Sequence, residues 1–150
     1  MAQTEKARAV GINHVALVVG DIDDALDFFS QIFEMKLRGR GDGMAFIELG
    51  DQFIALAEGS PGLADSKRHF GLVVDSKDKV QSRLDATGVE IIPGFGLNFL
   101  DPWGNRFQVV EYGGIQFSKT DNVLRGMGMD DLQKSADAIQ QLADKGMAPE

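Results

Sequence analysis

The sequence predicts an α+β fold of two βαβββ modules forming a curled mixed sheet around a central cavity, plus a C-terminal helix. Three observations carry that prediction. His14-Val-Ala-Leu-Val-Val-Gly-Asp-Ile-Asp23 aligns without a gap on His69-Phe-Gly-Leu-Val-Val-Asp-Ser-Lys-Asp78, with identities at Leu17/Leu72, Val18/Val73, Val19/Val74 and Asp23/Asp78. The order of helical and strand patterns after each copy also repeats, which marks a duplicated supersecondary unit. A four-stranded unit with one helix leaves a sheet face uncovered. Two such units can curl their sheets around a shared concavity with the helices outside, and a ligand would sit there.

The elements follow in order. The first strand runs from His14 to Val19. Ile22, Ala25, Leu26, Phe29, Ile32 and Phe33 recur at three- and four-residue steps, the spacing of an amphipathic helix. Asp21, Asp23 or Asp24 can cap its positive end. Strands are expected at Lys36–Arg38, Met44–Leu49 and Gln52–Ala57, with Gly41-Asp42-Gly43 and Gly50-Asp51 as hairpin turns. Gly59–Ser66, rich in Gly, Pro, Ser and Asp, is a linker. The second module reads as strand Phe70–Val74, helix Asp78–Ala86 with Gly88 as C-cap, and strands Glu90–Ile92, Leu97–Leu100 and Phe107–Tyr112. The modules span about residues 11–58 and 68–113, making residues 1–113 the paired domain. Residues 114–150 form an extension, where Leu132, Ala136, Ile139, Leu142 and Ala143 share one face of a helix expected over Met129–Lys145.

Composition narrows the function. The chain has 150 residues, 15 Lys and Arg against 23 Asp and Glu, and a net charge of −8. Nucleic acid is an unsuitable partner for a chain without clustered positive charge. Apolar runs such as Val15–Val19 are far short of a membrane span, and MAQTEKARAV has no signal-like apolar region. With no cysteine there is no disulfide, thiolate metal site or thiol nucleophile. The expectation is a cytoplasmic protein with a small-molecule partner. Arg38-Gly-Arg-Gly-Asp-Gly43 lacks the Gly-Lys-Ser/Thr of a phosphate loop, and no serine sits in a Gly-x-Ser-x-Gly setting.

His14 and His69 are the only histidines. They open the first strand of each module, so the repeat symmetry would aim both imidazoles into one concavity as metal ligands. Each could instead be a hydrogen-bonded core residue.

His14-Val-Ala-Leu-Val-Val-Gly-Asp21, the Phe28-Phe29 helix, Ile47-Glu-Leu-Gly50, His69 and Asp101-Pro-Trp-Gly-Asn105 resemble the vicinal oxygen chelate superfamily. That group includes glyoxalases, bleomycin-resistance proteins, fosfomycin-resistance transferases and extradiol dioxygenases. The resemblance covers about residues 11–113 and implies a homodimer. It also implies a divalent metal (Fe, Mn, Ni or Zn) that holds neighbouring oxygens of a substrate. Carried over by position, the ligands are His14, His69 and, four residues after Gly104, Gln108, where the family usually has glutamate. Ala55 stands where a glyoxalase carries another glutamate. Gln108 supplies an amide oxygen without charge, giving a looser grip on a dication. Glu111 is an odd number of residues away and so faces the other side of a regular strand. The expected cavity is lined by His14, Ala55, His69, Asn98 and Gln108.

The missing glutamates weaken a glyoxalase reading, and the missing third histidine weakens ring-cleaving dioxygenation. The neutral segment Gly113–Ser118 counts against transfer to fosfomycin. The leading expectation is a metal-dependent enzyme acting on a small oxygen-bearing organic substrate, with the metal as Lewis acid. The alternative is a metal-independent binder of cationic drugs, with Phe53, Phe95, Phe99, Trp103, Phe107 and Tyr112 lining its cleft. A third possibility is a degenerate member acting through its C-terminal helix.

Overall fold

The computed structural model describes residues 6–8 and 11–149. The first module comprises β1 (His14–Val19), α1 (Ile22–Ile32), β2 (Leu37–Gly41), β3 (Met44–Glu48) and β4 (Phe53–Glu58). The second comprises β5 (Phe70–Val74), α2 (Lys77–Thr87), β6 (Ile91–Ile92), β7 (Leu97–Leu100) and β8 (Arg106–Glu111). Each forms a four-stranded sheet, in the order β1-β4-β3-β2 or β5-β8-β7-β6. The β1/β4 and β5/β8 pairs are parallel and the rest antiparallel. The α+β pair of βαβββ modules is therefore present.

Local chemistry fixes the helix ends. Asp21 caps α1 by accepting from the Asp24 amide at 2.9 Å, and the Ser76 side chain accepts from the Lys79 amide to cap α2. Gly88 ends α2 with φ of 71°, a left-handed conformation that glycine adopts without a β-carbon penalty. A second cap comes from the end of each module's parallel partner strand. The Glu58 carboxylate accepts from the Ile22 amide at 3.1 Å, and Glu111 accepts from the Lys77 amide at 2.9 Å. The repeat thus extends to a strand-end acid seated at the positive end of the module's own helix.

The arrangement of the layers differs from the expectation of helices outside a shared cavity. One hydrophobic core joins Leu17, Val19, Ile54 and Leu56 of the first sheet to Leu72, Phe99, Phe107 and Val109 of the second, through Ala25, Phe29 and Ile32 of α1 and Val80 and Leu84 of α2. Phe29 lies 5.4 Å from the Phe107 ring and Phe33 lies 6.2 Å from Phe99. The physical reason is that α1 is apolar over more than one stripe. It covers its own sheet and still offers Phe29 and Phe33 to the other. The helices sit between two separate sheets, and each sheet's second face turns away from the core. The Asp101–Asn105 turn adds a tie between modules. The Asn105 side-chain amide donates to the Val18 carbonyl at 2.9 Å, and the Trp103 indole packs where Gly20 has no side chain.

Smaller differences have local causes. The second strand is Leu37–Gly41 rather than Lys36–Arg38, with a bulge between Leu37 and Gly39. The extension does not form one helix over Met129–Lys145. It makes a 3-10 turn (Tyr112–Gly114), α3 (Asp121–Gly126) and α4 (Ala136–Ala143). The Leu132 amide instead closes a turn on the Met129 carbonyl at 3.1 Å, and Ser135 starts α4 by capping the Ala138 amide. Just before α4, the Lys134 ammonium donates to the carbonyls of Tyr112, Ile115 and Phe117. Lys119 pairs with Asp51, so the extension straps the first module to the second.

Phe107 is 1% exposed and touches Phe29, Phe70 and Phe99. Phe107→Ala is expected to cost about 3–5 kcal/mol, read as a lowered urea midpoint with an unchanged slope.

Candidate functional site

Strand alternation distributes the candidate residues. In β1, Leu17 and Val19 are buried in the core, so His14, Ala16 and Val18 project from the other face. His14 pairs in register with Phe53 and Phe53 with Glu48, while Ala16 and Phe46 flank Ala55. The His14 ring stacks on Phe53 with centroids 4.7 Å apart and planes 7° apart. The Arg38 guanidinium lies over the same phenyl ring at 4.6 Å. Arg38 also grips Glu48 with two hydrogen bonds, at 2.7 and 3.1 Å, and donates to the carbonyls of Gly50 and Gln52. The hydrogen bond from Arg38, opposed by partial burial, holds the Glu48 carboxyl below its ordinary value.

On the second sheet, Gly71 and Asn98 both pair with Gln108, on the face opposite Leu72, Phe99, Phe107 and Val109. His69 directly precedes β5, two residues before Gly71. The Gln108 amide nitrogen donates to the Phe95 carbonyl at 3.0 Å, leaving its oxygen as the open end. Asn98, only 2% exposed, donates to the same carbonyl at 2.8 Å. Glu111 turns away to cap α2, as the odd spacing requires.

Both imidazoles are exposed, and each has its Nδ1 beside an oxygen. His69 Nδ1 lies 2.7 Å from the Lys67 carbonyl, which can only accept, so that nitrogen carries the hydrogen. His14 Nδ1 has the side-chain oxygen of Asn13 at 3.0 Å, consistent with the same tautomer. In a neutral ring with its hydrogen on Nδ1, Nε2 keeps its lone pair, the arrangement in which metal-binding histidines are held by an outer acceptor.

These residues are divided between the two sheets. His14 and Ala55 belong to the outward face of the first sheet; Asn98 and Gln108 belong to that of the second, whose strand β5 His69 directly precedes. Among the described residues no group of three His, Cys, Asp or Glu could hold a metal. A groove of about 1950 Å³ lies elsewhere, lined by Phe33, Met35, Val80, Met127 and Leu132, and includes neither histidine. The expected aromatic cleft does not form either. Phe99, Phe107 and Tyr112 are buried, Trp103 packs against Gly20, and Phe95 is 91% exposed on a loop. Among those rings, Phe53 alone joins a candidate ligand. Sequence reasoning also passed over Arg38 and Glu48, because their pairing depends on the β2–β3 register and the bulge that shifts it.

A family model described as Glyoxalase/Bleomycin resistance protein/Dioxygenase superfamily matches residues 11–109. The chain is 23% identical over 119 residues to the metallothiol transferase FosB of Bacillus licheniformis, covering 70% of this chain and 77% of that one. Among solved structures, it is similar to a fosfomycin resistance protein FosX variant from Listeria monocytogenes complexed with Mn(II) and 1S,2S-dihydroxypropylphosphonic acid. That likeness has 25% identity and a TM-score of 0.57, covering 66% of this chain and 89% of that one. FosX from Mesorhizobium loti superposes with a TM-score of 0.59 at 18% identity, covering 68% and 91% of the two chains.

The Arg38–Glu48 pair yields a pH signature. A carboxyl whose folded pKa is lowered contributes stability above its unfolded value, and that contribution is lost as pH falls through the folded value. Wild type should therefore exceed Glu48→Gln in urea midpoint above pH 4.5, the ordinary value, with the gap closing on further acidification. A gap independent of pH would mean that the ion pair is not its source.

Proposed function

This chain belongs to the Glyoxalase/Bleomycin resistance protein/Dioxygenase superfamily, and from that premise we propose that it is a divalent-metal-dependent enzyme acting on a small oxygen-bearing organic substrate, with its metal site assembled between two copies. The single observation that carries this reading is the pair of exposed imidazoles. Each has its Nδ1 engaged by an oxygen and its Nε2 turned free, at equivalent places in the two modules. Gln108 completes the set, with its amide nitrogen tied down and its oxygen open.

The donors suit the metal chemically, and His14 belongs to one sheet while Gln108 belongs to the other. Two copies can bridge that separation. The outward first sheet of one protomer can face the outward second sheet of its partner, and twofold symmetry then creates two equivalent sites. Exposed Val18 and Met44 on the first sheet would be covered in the same step. A bound dication would act as a Lewis acid on substrate oxygens. In this chain Arg38 and Phe53 fix the His14 ring, the Lys67 carbonyl fixes His69, and the Phe95 carbonyl orients Gln108. Residues 1–113 carry the site and residues 114–150 strap the modules. A cysteine-free chain in which no described helix is long and apolar enough to cross a membrane suits work in the cytoplasm.

Metal-free protein titrated with Mn, Fe, Ni and Zn should take up one of them near stoichiometrically. His14→Ala and His69→Ala should each abolish uptake with unchanged circular dichroism. Unchanged uptake in both variants would reject these ligands. Co-refolding the two variants should restore about a quarter of wild-type capacity, because only mixed pairs rebuild one complete site. No recovery would reject assembly between copies.

A further inference from the structure

We propose that Arg106 takes the charged end of the substrate, and that this substrate is an organic oxyanion carrying a carboxylate or phosphonate group. The location rests on the site assignment above. The chemistry rests on Arg106 and its surroundings.

Arg106 opens β8 two residues before Gln108 and shares its outward face. The parallel register of Phe70 with Phe107 puts His69 beside it. Its guanidinium is placed from several sides. Nε and Nη2 donate to the Asn98 side-chain oxygen at 3.3 and 3.2 Å, and Nη1 donates to the Ser66 carbonyl. Asn98 is itself pinned through the Phe95 carbonyl. A β-carbon on Gly94 would come within 2.7 Å of Nη2, so glycine there leaves room for the guanidinium. All these partners are neutral. Among the described residues, the five ion pairs join other groups and none includes Arg106. One N–H on each terminal nitrogen has no hydrogen-bond partner in that set.

The charge balance of the site points the same way. His14, His69 and neutral Gln108 bring no negative charge to a dication, and the Glu48 carboxylate is engaged by Arg38. The assembled site is thus positive within a chain of net charge −8. A half-buried, pre-placed guanidinium without a carboxylate is suited to charge-assisted hydrogen bonds with oxyanions. Cationic ligands would meet the wrong sign. The segment Gly113–Ser118 lacks positive charge, and Arg106 supplies it from the strand before Gln108.

Isothermal titration of methylphosphonate, acetate and tetramethylammonium into the metal-free full chain tests this. One or both anions should bind saturably and tetramethylammonium should not. Arg106→Gln should weaken anion binding at least about tenfold, as loss of a charge-assisted pair demands. Equal anion affinity in wild type and R106Q, no saturable anion binding by wild type, or binding of tetramethylammonium would overturn the proposal. Because R106Q also removes hydrogen bonds to the linker, the Arg106 Nε–H resonance of wild type should be followed as well. It should shift with the anion and stay still with acetamide; a resonance unmoved by the anion would overturn the proposal even if R106Q fails to fold. Mn(II) uptake measured on the same wild-type sample separates the two readings. Arg106-dependent anion binding without metal uptake would reject the metal site and leave this inference standing.

Discussion

Two-residue alternation along the strands is the constraint on which the rest of the structure depends. Each sheet must give one face to the shared helical core, and burial of Leu17, Val19, Leu72, Phe107 and Val109 decides which. A one-residue slip would exchange core and solvent faces throughout a strand. The core therefore aims His14 outward on one sheet and Gln108 outward on the other. The same burial that stabilises a protomer places His14 and Gln108 on different sheets, and the proposed pairing of two copies is a response to that separation.

Much of the fold was legible because it is written in repetition and periodicity. The matched histidine-led strands, the Asp21 start and the Gly88 stop are local signals, and local physics realises them. The layer order was not legible. Whether Phe29 and Phe33 cover one sheet or two depends on non-local packing that helical spacing does not encode. The extension was misread for a related reason. The apolar steps over Met129–Lys145 suit a helix, but the Met129–Leu132 turn and the Lys134 contacts come first.

The residues of the proposed site could be named from the sequence, and the contacts that hold them could not. His14 and Gln108 stand at strand positions whose outward direction follows from alternation, and His69 directly precedes β5. Their outer partners did not follow. Asn13, the Lys67 carbonyl and the Phe95 carbonyl depend on loop conformation, and Arg38 reaches Glu48 only through the bulged register of β2. Glu111 shows the strength of the periodic argument, since its orientation could be excluded for metal binding from spacing alone and its actual partner is the start of α2.

The strand-end glutamates have a kinetic consequence. Glu58 reaches Ile22 across 36 residues and Glu111 reaches Lys77 across 34, so both closures lie inside a module. These closures are shorter than the ties between modules, 52 residues from Arg83 to Gln31 and 87 from Asn105 to Val18, so they cost less chain entropy. Each module can thus acquire its own order before the linker Gly59–Ser66 commits the pair to a mutual orientation. Docking becomes the late step, and at high chain concentration it competes with encounter between modules of different molecules.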